Sequence, residues 1–210
     1  MLYKSFIKRL IDIVLAVLAL IILFPLFLII IICIKLDSKG PVLFRQLRVG
    51  RDKKEFYILK FRTMKVDAPK DMPTFMLENP QQYITKLGSF LRRTSLDELP
   101  QIINIIKGEM SIIGPRPVIR NEELLYIERD RLGVYSIKPG LTGLAQINGR
   151  DIITVEEKAR LDGYYANNCT FVLDLKIFLI SIIIVLKSKG IREGTPSGEK
   201  TKNSVNNSTL

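Results

Sequence analysis

An uncharged run of twenty-two residues, Ile13 to Ile34, interrupted by Pro25, constrains this chain more than any other feature. At about 1.5 Å rise per residue, a straight helix of that length just crosses a hydrocarbon core of about 30 Å. Proline removes a backbone donor and clashes with the preceding turn, so it kinks or breaks a helix. Both flanks are basic: Lys4, Lys8 and Arg9 precede the run, and Lys35, Lys39, Arg45 and Arg48 follow it. Positive charge favours the cytoplasmic side. A single crossing would carry one basic flank across the membrane, whereas a segment that dips in and returns at Pro25 keeps both inside. Residues 1–36 therefore read as a re-entrant membrane helix. An ordinary spanning helix with its N-terminus outward is the alternative. A signal peptide fits poorly, because the apolar core is long and no small-residue cleavage site follows it.

The remaining chain suffices for one domain, residues 37–190, followed by a polar tail, residues 191–210, that lacks aromatics and is expected to be disordered. The formal net charge is +11, and there is no histidine. That absence excludes imidazole acid–base catalysis, histidine metal sites and Ser-His-Asp or Cys-His triads. Chemistry is left to carboxylates, lysines, tyrosines or a thiol. The basic surplus suits anionic partners such as lipid head groups or nucleotide phosphates. Nucleic acid is disfavoured, since aromatic residues are not interleaved with the basic ones and no nucleic-acid motif occurs. Cys33 and Cys169 lack metal-like spacing and read as unpaired thiols in a reduced compartment.

Residues 42–62 read as a β-hairpin, with Val42-Leu43-Phe44 and Phe56-Tyr57-Ile58-Leu59 flanking the turn residues Gly50-Arg51-Asp52. Residues 66–82 carry three prolines and read as a loop. Short helices are expected over 84–92 and over Gln101–Lys107, the latter stopped by Gly108. Asn121 is a candidate N-cap for a helix reaching Arg131. Residues 138–150, with Pro139 and three glycines, read as irregular loop. Thr154 and Glu157 have capping-box spacing and open a helix to about Asn167. Residues 175–187 are nearly all aliphatic, too short to span comfortably, and fit either an interfacial helix or a buried one. The expected class is α+β, mainly helical, with a small β-hairpin and the N-terminal re-entrant membrane helix.

The acidic pair Asp97-Glu98 lies in Ser95-Leu96-Asp97-Glu98-Leu99-Pro100-Gln101. Pro100 is tolerated only in a first turn, so a helix starting near Asp97 would use its carboxylate as a cap. The surroundings suggest more. Arg92 and Arg93 precede the pair, Gly114-Pro115-Arg116-Pro117 presents another arginine, and Lys60 and Arg62 end the second strand of the hairpin. Cations around an acidic pair suit a phosphorylated substrate. A carboxylate can attack phosphorus to form an acyl phosphate, with a divalent cation and arginines neutralising charge.

These residues resemble the small monotopic phosphoglycosyl transferases of bacterial glycoconjugate assembly, also called bacterial sugar transferases. The resemblance runs from about Tyr3 to Lys189. It is carried by Phe6-Ile7-Lys8-Arg9-Leu10-Ile11-Asp12, Lys60-Phe61-Arg62-Thr63-Met64 and the Ser95–Gln101 segment. Gly108–Pro117, Lys138–Arg150, Asp162, Tyr165, Asn168 and Asp174 complete it. It implies transfer of a sugar-1-phosphate from a UDP-sugar to undecaprenyl phosphate, in two steps, at the cytoplasmic face of the bacterial plasma membrane. It also implies Mg²⁺, with Asp97 as nucleophile and metal ligand, and Glu98 assisting. Arg92 and Arg116 are implied to bind phosphate or order the site, with Lys60, Gln146, Arg150, Asp162 and Tyr165 as further substrate contacts. One departure stands out: some members place a serine before the proline of the membrane helix, and this chain has Phe24 there. The competing function is a membrane-docked basic binding or scaffold protein without turnover. It predicts steep salt dependence and no product.

Overall fold

The computed structural model describes residues 3–69, 77, 79–149 and 153–187. The polar tail and Arg150 lie outside the described residues, as do residues 70–76 and 78 of the proline-containing loop. A π-helical turn, Tyr3–Ile7, leads into α1 (Lys8–Asp37), which continues through Pro25 instead of breaking there as expected and is about 45 Å long at helical rise. It is the helix, among the described residues, that is long and apolar enough to cross a membrane. The hairpin follows as β1 (Leu43–Val49) and β2 (Glu55–Phe61), then α2 (Lys86–Arg93), α3 (Gln101–Lys107), β3 (Ser111–Ile113), α4 (Glu123–Arg131), β4 (Gly140–Thr142), α5 (Leu144–Ile147), α6 (Val155–Asn167) and α7 (Phe171–Leu186). The α+β, mainly helical class with a small antiparallel hairpin is as expected.

The main core joins α1 to the hairpin and to α2 and α3. Ala16, Phe27, Ile30 and Ile34 of α1 are buried with Phe56, Ile58, Phe61, Leu91, Ile102, Ile105 and Met110. The buried positions follow helical spacing, so one stripe of α1 faces the domain and the rest stays outside. Ile22 and Leu36, on that outer surface, are 72% and 83% exposed. Polar contacts fix α1 at both ends. Arg9 donates to the carbonyls of Ile105 and Ile106, in the last turn of α3, at 2.6 and 3.0 Å. Buried Asp12 accepts from Ser111 Oγ at 2.8 Å and from the Ile112 amide at 3.0 Å. Beyond the other end, Arg62 donates to the carbonyls of Lys39 and Ser38.

β1 and β2 pair in register from Leu43–Phe61 to Val49–Glu55. The connection takes Asp52 and Lys53 to φ of 54° and 61°. α3 ends where expected, with Gly108 at φ 88°. Both cysteines are free. Three details differ from the sequence reading. First, residues 138–150 are not wholly irregular: β4 pairs in parallel with β3, and α5 follows. The two backbones touch here, so a side chain on Gly140 would collide with the main chain of Gly114. Second, the N-cap position of α4 is Glu122, not Asn121; its carboxylate does not cap the helix but accepts from the preceding Ile119 amide at 2.9 Å. Third, only half of the capping box forms. Thr154 Oγ1 accepts from the Glu157 amide, while the Glu157 carboxylate turns to Arg160.

α7 starts at Phe171, earlier than expected, because Thr170 caps the Leu173 amide. Only Asp174 and Ile177 are buried along it. Val172, Leu179, Ile183 and Leu186 are exposed, which matches the interfacial alternative rather than the buried one. Together with the outer face of α1, this apolar surface fits association with a membrane.

Candidate active site

The acidic pair sits at a break between helices. α2 ends at Arg93, Ser95 adopts a left-handed conformation (φ 57°), and Leu96–Glu98 form a 3₁₀ turn. α3 then starts at Gln101, with Pro100 in its cap position and no side-chain cap. The expected helix start at Asp97 is thus corrected. A separate turn intervenes, and the Asp97 carboxylate is not used as a cap.

The two carboxylates differ sharply. Glu98 accepts from Lys60 Nζ at 2.9 Å and from Arg116 Nη2 at 2.7 Å. Burial pushes its pKa up, but Arg116 and Lys60 overcome that and hold it well below the usual carboxylate range. Asp97 is 8% exposed, and no described residue donates a hydrogen bond to it. Burial pushes its pKa above the ordinary aspartate value, opposed by Lys60, reinforced by Glu98, and opposed again by Arg92 and Arg116. One carboxylate is therefore locked as an anion in a salt-bridge pair. The other is left with its oxygens uncommitted, and divergent environments of this kind separate chemical roles.

Both line a cleft of about 1680 Å³. Lys60, Arg92, Arg116 and Gln146 line it as well. Arg92 is steadied by Nε donation to Thr63 Oγ1 at 2.9 Å. Gln146 donates to the Leu141 carbonyl at 3.2 Å and keeps a buried Oε1 without a partner. Burial pushes the Lys60 ammonium down, and Glu98 opposes the shift. Apolar Leu23 of α1 and Phe178, Ile182 and Val185 of α7 complete other parts of the wall. A cation-rich floor beside apolar walls suits a ligand that carries both phosphate and hydrocarbon.

Three expected site residues are engaged elsewhere. Arg62 lines the cleft, but its terminal nitrogens are taken by Ser38 and Lys39, where they fasten the chain after α1. Asp162 is 1% exposed and paired with Arg129. The Tyr165 hydroxyl donates to the Asp174 carboxylate at 2.6 Å and lies 3.1 Å from the Ile113 carbonyl. Neither Asp162 nor Tyr165 lines the cleft. Arg150 falls outside the described residues.

Arg48, which the sequence shows only as one of the basic residues after the apolar run, is a further cation of the site. It lines the cleft and donates to Gln46 Oε1 at 2.6 Å and to the Pro117 carbonyl at 3.1 Å. Its buried Nε has no partner. Burial first, and Arg116 second, push its pKa down to about 10, so it stays protonated at neutral pH. The available signal was strand alternation. In the observed register Arg48 faces Phe56, and Phe56, Ile58 and Lys60 share one face of β2.

Comparison with known proteins identifies the family. The family model described as bacterial sugar transferase matches residues 3–188. The chain belongs to the bacterial sugar transferase family. Among relatives of the sugar transferase family, the exopolysaccharide production protein ExoY of Sinorhizobium fredii (strain NBRC 101917 / NGR234) is 39% identical over 197 residues, covering 87% of each chain. The uncharacterized sugar transferase EpsL of Bacillus subtilis (strain 168) is 40% identical, covering 89% of this chain and 90% of its own. The UDP-glucose:undecaprenyl-phosphate glucose-1-phosphate transferase of Escherichia coli (strain K12) is 42% identical over 182 residues. That match covers 83% of this chain but 39% of the longer relative. The family makes the protein a sugar transferase, and the apolar α1 fits the membrane association of such enzymes.

Proposed function

We propose that the protein transfers a sugar-1-phosphate from a UDP-sugar to undecaprenyl phosphate by way of a covalent intermediate on Asp97. The observation that carries this reading is the asymmetry of the acidic pair: Glu98 is held by two cations while Asp97 is uncommitted and faces the cleft. In the first step an Asp97 carboxylate oxygen attacks the β-phosphorus. The bond from that phosphorus to the oxygen bridging it to the α-phosphate breaks, and UMP leaves with the electron pair. In the second step a phosphate oxygen of undecaprenyl phosphate attacks the same phosphorus, and the Asp97 carboxylate departs. Donor, intermediate and product all hold the phosphosugar as an anhydride, so neither step runs steeply uphill. Lys60, Arg92, Arg116 and Arg48 bring positive charge to the diphosphate, the usual way to stabilise phosphoryl transfer.

Mg²⁺ is part of this reading. No group of three or more acidic, cysteine or histidine side chains forms a metal site among the described residues. Magnesium does not need one, because it binds through one or two carboxylates plus substrate phosphates. Asp97 fits as that carboxylate. When bound, the ion would neutralise phosphate charge.

The membrane arrangement we propose is monotopic, with the domain on the cytoplasmic face of the plasma membrane. Support comes from α1, whose two halves pack on one core: Ala16 lies before Pro25, and Phe27, Ile30 and Ile34 lie after it. A helix that crossed the bilayer would carry one half away from the domain.

The test of the chemistry is intact-protein mass spectrometry after mixing enzyme with UDP-sugars and no acceptor. The expected result is an adduct of one phosphosugar that disappears when undecaprenyl phosphate is added and does not form in Asp97→Asn. Retained turnover in Asp97→Asn would remove the nucleophile from the scheme. Topology is tested by labelling Leu2→Cys and Lys39→Cys in a background with serine at positions 33 and 169. Both sites should react only from the cytoplasmic side.

A further inference from the structure

The Gly114–Pro117 turn carries Arg116, the arginine that grips Glu98, and its own main chain is held by a side chain of α4. Arg129 of α4 donates from Nη1 to the Arg116 carbonyl at 2.7 Å. The same guanidinium is anchored on Asp162 of α6, with Nε to Oδ2 at 2.9 Å and Nη2 to the same oxygen. Arg129 and Asp162 are 2% and 1% exposed, so water does not compete for these contacts. One helical turn along α6, the Tyr165 hydroxyl lies 3.1 Å from the carbonyl of Ile113, the residue that leads into the turn. The Arg116 guanidinium, in contrast, is half-exposed and reaches Glu98 at the cleft.

We infer that Asp162 is a positioning residue: through Arg129 it fixes the main chain of Arg116, and thereby the guanidinium that holds Glu98 beside the reacting carboxylate. Asp162 itself touches no substrate. The chain of contacts runs from α6 to α4 to the turn to the acidic pair, and a hydrogen bond joins each element to the next. Side chains acting as one unit give non-additive effects when removed, whereas independent contributions to folding add. That difference makes the inference testable, and it rests on the transferase reading only for its kinetic arm.

Asp162→Asn alone is a poor probe, since it leaves a buried guanidinium without its counter-ion and endangers the fold. Replacing both charges with apolar side chains of similar size avoids this. The experiment therefore compares wild type, the double variant Arg129→Met/Asp162→Leu, Arg116→Ala, and the triple variant. In UMP release from UDP-sugar, the double variant should lose about 10- to 100-fold in kcat with KM changed less than threefold. In the Arg116→Ala background the same two substitutions should cost less than a further threefold. Hydrogen exchange of residues 114–119 should rise in the double variant, while α6 stays protected. A double variant with wild-type kcat would overturn the inference, as would a full second loss on top of Arg116→Ala. The exchange arm needs no turnover. If the wild type releases no UMP, the transferase reading falls, and unchanged exchange at 114–119 would separately overturn the clamp.

Discussion

Lys60 Nζ lies 2.9 Å from Glu98 Oε1, and this contact separates the duties of two carboxylates that adjoin in the chain. Lys60 comes from β2 and Glu98 from the turn before α3, so the pair also ties the hairpin to the acidic turn. With Arg116 closing on the same carboxylate, Glu98 is a fixed counter-charge that keeps two cations at the mouth of the Asp97 site.

Glu98→Gln should disturb this arrangement while keeping side-chain shape. It leaves Lys60 and Arg116 without their shared anion. Breaking a buried pair costs about 3–5 kcal/mol. Arg116 is half-exposed, so about 2 kcal/mol is expected here. Glu98 is held below its ordinary value in the folded state, so its contribution to stability is present above that ordinary value and is lost as pH falls below it. Thermal melts between pH 3 and 7 should show wild-type stability declining below about pH 4.5. The Glu98→Gln curve should be lower at pH 7 and flatter in the acid range.

Asp97 predicts the opposite displacement, read in activity. Burial raises its pKa, and only the ionised carboxylate is nucleophilic. The acid limb of kcat/KM, which reports the free enzyme, should therefore fall about tenfold per pH unit with a midpoint above the ordinary aspartate value. A pH–rate profile of UMP release measures it. A midpoint at or below the ordinary value would contradict the buried, uncommitted state of this side chain.

Arg48 should matter for ligand affinity. Arg48→Met removes a cleft cation and its contacts to Gln46 and Pro117. Affinity for UDP should drop about tenfold, or about 1.4 kcal/mol, by calorimetry. Arg48→Lys should recover little of it, because one ammonium does not reproduce the guanidinium fork.

Asp12 is a stability test of the seam between α1 and the domain. Its carboxylate accepts from Ser111 Oγ and the Ile112 amide while 4% exposed. Asp12→Ala leaves both donors without partners, at about 2–4 kcal/mol in total. A lower melting temperature in detergent, with protease sensitivity appearing near β3, is the expected outcome.

Much of this was legible in the chain. The hairpin announces itself by β-prone runs around a turn, and α3 by its isoleucines and the glycine that stops it. The acidic pair stands out because so many cations cluster around it in a sequence without histidine. Other parts depend on distant partners. Asp162 meets Arg129 across 33 positions and Tyr165 meets Ile113 across 52. Nothing local tells a carboxylate that supports a turn from one that binds a ligand. The β3–β4 pair was hidden because each strand is three residues long and carries no periodic signal. The helix expected at Asp97 failed because a single left-handed residue, Ser95, resets the chain ahead of Pro100.

The seating of α1 on the main core has a practical corollary for anyone preparing this enzyme. Trimming the chain at residue 37 to obtain a water-soluble fragment would strip away Ala16, Phe27, Ile30 and Ile34, and with them one wall of the interior on which the hairpin and α3 rest. What was left would bare greasy surface to the buffer and clump. Amphiphile is therefore required from the first step of purification, because anchor and catalyst are one folding unit.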